Sequence, residues 1–278
     1  MRSALSRWLP SPFLQASALL HLAAAAALAA DPVRWRRVAA VVLADHVALA
    51  AAGMAPRSRL LGPNLSRLPA PDDASAVALT FDDGPDPEVT PRVLDLLDEA
   101  GCRASFFAVG RRAERHPEVA AEIVRRGHRI ENHTHRHPNG LAFLGPGALG
   151  REIDRAQEAL APLAGRRPRW FRAPAGVRSP WLGGVLAGRG LGLASWSRRG
   201  FDAVDGDPRR VARRLTAGLA PGEILLLHDG GSARTPAGRP VVLEVLPRVL
   251  DALAHRGLTG VALPDPPPAR ARAAGAAR

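Results

Sequence analysis

Hydrophobic positions follow two different patterns along this chain. From Trp8 to Ala30 they run almost without a break and without a formal charge, close to the roughly 20 residues that a helix needs to cross a bilayer. A second apolar stretch, Val38 to Ala55, follows Arg34, Arg36 and Arg37 but carries Asp45 and His46 near its middle. Beyond residue 75 the pattern changes to short apolar runs closed by turn residues and separated by segments of helical spacing. Strands are predicted at 76–81, 104–109, 128–132, 168–172, 191–196, 223–228 and 258–263. Thr90 as N-cap, Pro91 at the first helical position, apolar Val93, Leu94, Leu96 and Leu97, and Gly101 at the end predict a well-bounded helix between the first two strands. Repeated βα units imply a parallel sheet closed, or nearly closed, into a barrel, with functional groups at the carboxyl ends of its strands.

The patterning divides the chain into a hydrophobic membrane-anchor or signal region (1–56), a linker of prolines and polar breakers (57–75), an α/β domain (76–263) and a tail of prolines, Ala and Arg predicted to be disordered (264–278). The first stretch reads as a membrane helix or, because Ala27-Leu28-Ala29 resembles a signal-peptidase site, as a cleaved signal peptide. An Asp inside a bilayer costs at least roughly 2.5 to 3.5 kcal/mol, so the second stretch is expected to lie at the interface or to pair with the first as a hairpin. Arg2 and Arg7 favour a cytoplasmic amino terminus, which with one span puts the domain outside, whereas a full hairpin would return it to the cytoplasmic side. The arginines between the stretches argue against exporting that loop.

Composition adds less. The chain has 278 residues and is 46% hydrophobic, enough for a sizeable core. Its formal charge of +12 comes from Arg alone, with no Lys and no Tyr in the sequence, a bias expected of a GC-rich genome. Such a surface attracts anionic lipids or acidic glycans. Aromatic residues make up only 4% and no basic, aromatic-interleaved patch occurs, so no nucleic-acid partner is expected. Cys102 is the only cysteine, which excludes an intrachain disulfide and suits a small core residue after a helix.

Chemistry is concentrated at the ends of the predicted strands. Thr80-Phe81-Asp82-Asp83-Gly84-Pro85 carries two adjacent carboxylates where a strand runs into a turn. Neighbouring side chains on a straight strand diverge, so both reach one site only if the chain turns there. His133 and His137 are spaced to meet one cation, and one carboxylate would complete a three-ligand site with an open position, a donor set suited to Zn and related ions. His135 is expected to be exposed and not a ligand, and the Thr134 hydroxyl to shape the loop. Phe171-Arg172-Ala173-Pro174-Ala175-Gly176, Ser195 to Asp202, and Leu225-Leu226-Leu227-His228-Asp229 each close a further apolar segment.

In this order the five motifs strongly resemble the polysaccharide deacetylases of the NodB-homology type, carbohydrate esterase family four, over roughly Val77 to Leu263. The resemblance implies a distorted (β/α) barrel with fewer than eight regular strands, and metal-dependent removal of N-acetyl groups from an amino-sugar polymer or glycan. It assigns Asp83, His133 and His137 to one divalent ion, Zn first and Co or Ni as alternatives, and Asp82 to general base. It assigns the Ala175 N–H to the oxyanion and His228 to general acid. Arg172 would orient Asp82, Asp202 would support His228, and Trp196, Leu225 and Leu227 would wall the pocket. Two departures stand out: Ala175 where the family often has Tyr, and Ala203 where Trp often follows Asp202. The membrane segment favours, as alternative substrate, a lipid-linked amino sugar bearing acetyl or formyl; a catalytically idle, membrane-bound glycan-binding protein is the third reading. The expected location is the cell membrane of a bacterium with the domain on the periplasmic or outer side, or outside the cell after signal cleavage.

Overall fold

The computed structural model describes residues 8–69 and 74–267. Arg2, Arg7, residues 70–73 of the expected linker and the expected tail from 268 onward lie outside the described residues.

Two apolar helices come first. Helix α1 (Pro12–Ala30) is capped by Ser11, whose hydroxyl accepts from Leu14 N at 3.3 Å. A short turn at Pro32–Arg34 leads into α2 (Trp35–Met54), which packs back on α1. Of the alternatives for the second stretch, pairing with the first is the one that forms. Leu19, Leu22, Leu43 and Val47 are exposed, whereas a helix on a soluble core turns its apolar stripe inward. Both helices are long and apolar enough to cross a membrane. Polar residues of the two helices meet across the hairpin: Ser17 Oγ donates to Asp45 Oδ2 at 2.7 Å, and the ring of the exposed His46 meets that of His21 edge to face at 5.1 Å.

The remaining elements alternate. They are β1 (Ala76–Asp82), α3 (Val89–Glu99), β2 (Ala104–Ala108), α4 (Gly110–Arg115), α5 (Pro117–Arg125), β3 (Arg129–Asn132), α6 (Pro146–Ala164), β4 (Trp170–Phe171), α7 (Leu182–Ala187), β5 (Gly192–Leu193), β6 (Arg198–Arg199), α8 (Pro208–Thr216), β7 (Ile224–His228), α9 (Val242–Ala254) and β8 (Thr259–Val261). All pairings between these strands are parallel, in the order β5-β4-β3-β2-β1-β7-β6, with β8 beside the first half of β1. The sheet curls into a distorted half-barrel. Where fewer than eight regular strands were expected, eight form among the described residues, but β4, β5 and β6 are two residues each. Strand β6 was not foreseen. Helix α3 also starts earlier than expected: Glu88 occupies its N-cap position, and the Thr90 hydroxyl accepts from Asp86 N and donates to Asp229 instead of capping.

Alternation along the strands sorts the core. Val77, Leu79 and Phe81 of β1 and Leu225 and Leu227 of β7 pack outward with residues of α3, α5, α8 and α9, and Cys102 joins them. Ala78, Phe107, Trp170, Trp196, Ile224 and Leu226 fill the barrel interior. Thr80 and Asp82 therefore point inward, toward the upper end.

Residues 64–68 are fastened along the sheet margin. Leu65 N donates to the Leu193 carbonyl at 2.9 Å, Ser195 N to the Leu65 carbonyl at 2.8 Å, and Leu68 N to the Gly222 carbonyl at 2.8 Å. Arg67 pairs with Glu223 at 3.2 Å. The segment thus joins the β5 margin to the foot of β7, and Leu65 and Leu68 pack on the interior cluster.

Candidate active site

Asp82 ends β1 as an inward residue, and Asp83 then turns the chain with a φ of 72°, a left-handed conformation that Asp tolerates better than most residues. The turn is held from two sides. Arg112 Nη1 donates to the Asp83 carbonyl at 2.8 Å, and Gly84 lies so close to Asp229 that a Cβ would fall 2.0 Å from its Oδ2. Both carboxylates thereby reach one cleft, as the motif required.

The two histidines come from a tight loop at the end of β3. Asn132 Oδ1 accepts from Thr134 N and its Nδ2 donates to the Ile153 carbonyl, tying the loop to α6. Thr134 and His137 adopt φ values of 68° and 55°, and Thr134 Oγ1 accepts from His137 N at 2.9 Å. His133 Nε2 and His137 Nε2 consequently stand 3.2 and 3.0 Å from Asp83 Oδ1. His133 Nδ1 lies 2.9 Å from the Arg172 carbonyl, which can only accept, so Nδ1 carries the proton and Nε2 presents its lone pair. Asp83 Oδ1 is buried without a hydrogen-bond donor. Burial alone would raise the Asp83 pKa, but hydrogen bonds and charge from His133 and His137 in their protonated forms hold it well below the ordinary carboxylate value. With both Nε2 atoms deprotonated, two imidazole lone pairs and an anionic oxygen would converge with no donor between them, a set that fits a divalent cation.

His135 is not exposed as expected. The tight loop turns it inward, where it is buried with Nε2 at 3.7 Å from Glu114, and it takes no part in the ligand cluster.

Asp82 is clamped by a fully buried arginine. Arg172 Nη1 donates to Asp82 Oδ1 at 2.6 Å and to Thr80 Oγ1 at 2.9 Å, Nη2 donates to the Ser195 carbonyl, and the guanidinium stacks 4.0 Å from the Phe107 ring centroid. Across the β1–β7 pair, Asp82 is in register with His228. Asp202 Oδ2 accepts from His228 N at 2.7 Å, and its Oδ1 is 2.9 Å from His228 Nδ1. Burial disfavours the imidazolium, but the hydrogen bond and charge of Asp202, then the charges of Asp82 and Asp83, raise the His228 pKa to about 9.

Ala175 sits at the apex of the turn Pro174–Gly176 with a φ of 54°. It is exposed, and its N–H donates to no group among the described residues. Trp196 lies beneath this turn, so close that a Cβ on Gly176 would come within 2.6 Å of the ring; it supports the turn more than it walls an open pocket. Leu225 and Leu227 do not face the cleft. The pleat sends them toward the helices, and Leu226 shares the face of His228. Asp229, which the sequence reading quoted without a role, is buried against the Asp83-Gly84 turn and accepts from Thr90 Oγ1 at 2.6 Å. Burial, and the charges of Asp83 and Asp82, push its pKa up to about 7 against the Thr90 hydrogen bond. Arg112 and Asn132 were also missed, because their work is done through backbone groups.

The α1–α2 hairpin touches this region directly. Arg178 N donates to the Gly53 carbonyl, and its guanidinium donates to the carbonyls of Ala52, Ala55 and Ser58 at 3.0, 2.8 and 3.0 Å. A buried side chain three residues from Ala175 thus caps the end of α2.

Comparison with known proteins agrees with this geometry. The polysaccharide deacetylase family model matches residues 70–187. A chitooligosaccharide deacetylase of Azorhizobium caulinodans is 37% identical over 200 residues, 68% of this chain and 93% of that protein. A peptidoglycan-N-acetylglucosamine deacetylase of Bacillus cereus is 32% identical over 200 residues, covering 70% of this chain and 69% of its own length. Among solved structures, a family 4 carbohydrate esterase from Streptomyces lividans in complex with acetate aligns with a TM-score of 0.60 and 31% identity, over 67% of this chain and 91% of that one.

Proposed function

The chain belongs to the polysaccharide deacetylase family, and on that premise we propose that it hydrolyses the N-acetyl group of an amino-sugar glycan, with the following division of work among its residues. A divalent ion, zinc first for two imidazoles and a carboxylate, would be held by Asp83, His133 and His137 and would supply Lewis-acid polarisation of the acetyl carbonyl and a lowered pKa for water. Asp82 takes a proton from the attacking water. Arg172 engages its Oδ1 and orients the carboxylate, with Oδ2 turned toward His133 at 3.9 Å. The Ala175 N–H donates to the acetyl oxygen as charge gathers there, a role a backbone donor fills without the family's usual Tyr. His228, held through Nδ1 by Asp202, gives its Nε2 proton to the nitrogen as the C–N bond breaks, releasing acetate and an amine. Leu226 borders the acetyl methyl in place of Leu225 and Leu227.

The observation that carries this reading is the convergence of Asp83 Oδ1 with two Nε2 atoms beside an arginine-clamped Asp82. Amine release from an N-acetylated oligosaccharide by metal-loaded and chelated protein is the test. Turnover should vanish on chelation and return with metal. His137→Ala should lose the metal, and Asp82→Asn should keep it while losing roughly 100 to 10,000-fold in turnover. Full activity in chelator, or a metal-loaded Asp82→Asn enzyme of normal rate, would reject it.

We further infer that the hairpin is a membrane anchor with its turn on the cytoplasmic side, since Arg34, Arg36 and Arg37 cluster there. That orientation leaves the catalytic body outside the bilayer on the opposite face. The buried Arg178 cap holds the Ala175 turn next to the end of α2, which favours a glycan presented close to the membrane, a lipid-linked amino sugar among them.

A further inference from the structure

Beside the metal ligands Asp83 and His137 lies a cavity of about 290 Å3 whose other walls are Val109, Arg111, Arg112, Arg115 and Arg136. Four guanidinium groups thus converge from α4 and from the histidine loop. Two are already engaged: Arg112 on the Asp83 carbonyl, and Arg136 on Glu152 at 2.7 and 2.6 Å. The side chains of Arg111 and Arg115 make no hydrogen bond or ion pair among the described residues. They stand four apart on α4 and so share a face, where like charges repel. The nearest acids of that segment are committed elsewhere, Glu114 toward His135 and Glu118 toward His116. Many arginines elsewhere on this basic chain are neutralised: Arg126 meets Asp95, Asp98 and Glu122, Arg189 meets Asp154, and Arg210 and Arg214 share Asp205. Other exposed arginines, Arg59, Arg92 and Arg209 among them, also have no ion pair among the described residues; what sets the exposed Arg111 and Arg115 apart is that both line one cavity beside Asp83 and His137.

Building on the deacetylase reading, we infer that the substrate carries an oxyanion, a phosphate or a carboxylate, on or next to the sugar that loses its acetyl group, and that this cavity receives it. The planar fork of Arg matches either oxyanion with paired, charge-assisted hydrogen bonds. Arg111 and Arg115 supply the free donors, and Arg112, fixed on the Asp83 carbonyl, adds positive potential, while the charge of Arg136 is met by Glu152. The size suits a substituent and not a whole chain, since drug-sized ligands occupy roughly 300 to 1,000 Å3. A cleft lined this way also gathers anionic glycans from solution, an effect that salt weakens.

The test uses full-length, metal-loaded protein in detergent and three substrates of matched length: neutral chitotetraose, an oligosaccharide with a uronic acid next to the N-acetylated sugar, and one with a phosphate there. At low ionic strength, kcat/KM for at least one charged substrate should exceed that for chitotetraose by about tenfold or more, mainly through KM, and the ratio should fall as salt is added. The double variant Arg111→Ala, Arg115→Ala should bring the ratio close to one. Which charged arm responds tells phosphate from carboxylate. Equal kcat/KM for all three substrates in the wild type, or an unchanged ratio in the double variant, would overturn the inference. If folded, metal-loaded protein turns over none of the three, the deacetylase reading fails instead. Calorimetric titration with N-acetylglucosamine 1-phosphate and with a uronic acid then reads the cavity alone: binding of either weakened tenfold in the double variant supports it, and no binding of both refutes it.

Discussion

At the scale of single residues, the proposed general acid His228 should set the alkaline limit of activity. Its pKa of about 9 results from Asp202, then Asp82 and Asp83, outweighing burial. A general acid works only while protonated, so activity should hold below that pH and fall as pH rises through about 9. A divalent ion offsets the charges of Asp82 and Asp83, which leaves Asp202 as the main support. In Asp202→Asn the alkaline limb of kcat/KM should therefore move down toward the ordinary histidine value of roughly 6.5. A limb that stays near 9 would assign the proton to another group. The convergence of Asp82, Asp83, His133, His137, Arg172 and His228 on one cleft was legible in the motifs and the family resemblance they carry, because these residues meet through their own side chains. Three residues were less legible, each for its own reason. Leu226 was passed over for its neighbours although the two-residue period places it with His228, His135 was expected to be exposed but the tight loop buries it, and Asp229 shows its place only in its packing on Gly84 and its hydrogen bond from Thr90.

Among the elements, the strand-helix alternation was readable from period alone, while the shortest strands were not. Two-residue strands such as β4, β5 and β6 carry too few positions to show any period, and they exist because their neighbours supply the partners. Thr90 shows a competing use of a good capping residue: its hydroxyl is taken by Asp86 N and Asp229, and α3 begins without it. The junction between α2 and the Ala175 turn was invisible in sequence, since Arg178 works by capping backbone carbonyls 120 and more positions away. Arg178→Ala removes a donor from three carbonyls, of which Ser58 keeps Asn64 Nδ2 and Ala55 keeps Ser58 N, and should destabilise the protein by about 1 to 3 kcal/mol, the cost of roughly one buried group left unpaired. Thermal unfolding in detergent measures it. An unchanged melting temperature would mean that the junction contributes nothing.

For the whole molecule, the hairpin and the barrel form one body through that junction. If α1 and α2 hold the protein by insertion, it should stay with the membrane fraction through a high-salt wash, because salt screens surface charge but not apolar burial. Protease applied to the outer face of the membrane should digest the catalytic body. Release by salt, or protection from that protease, would overturn the proposed anchoring or its orientation. The expected linker, read from prolines and polar breakers, also has a packed role in part, because a segment of irregular backbone can pair with a sheet margin without any periodic signature. Residues 64–68 fill the place of a missing stave between β5 and the foot of β7. A protein shortened to begin at Ser75 would therefore bare the backbone groups at Leu193, Ser195 and Gly222 together with the apolar face under Leu65 and Leu68, an open edge on which a second molecule can build. Its defect would be sociable before it was catalytic: light scattering should rise with protein concentration while the dilute enzyme still turns over substrate, and adding back a peptide of residues 60–69 should restore a monomer.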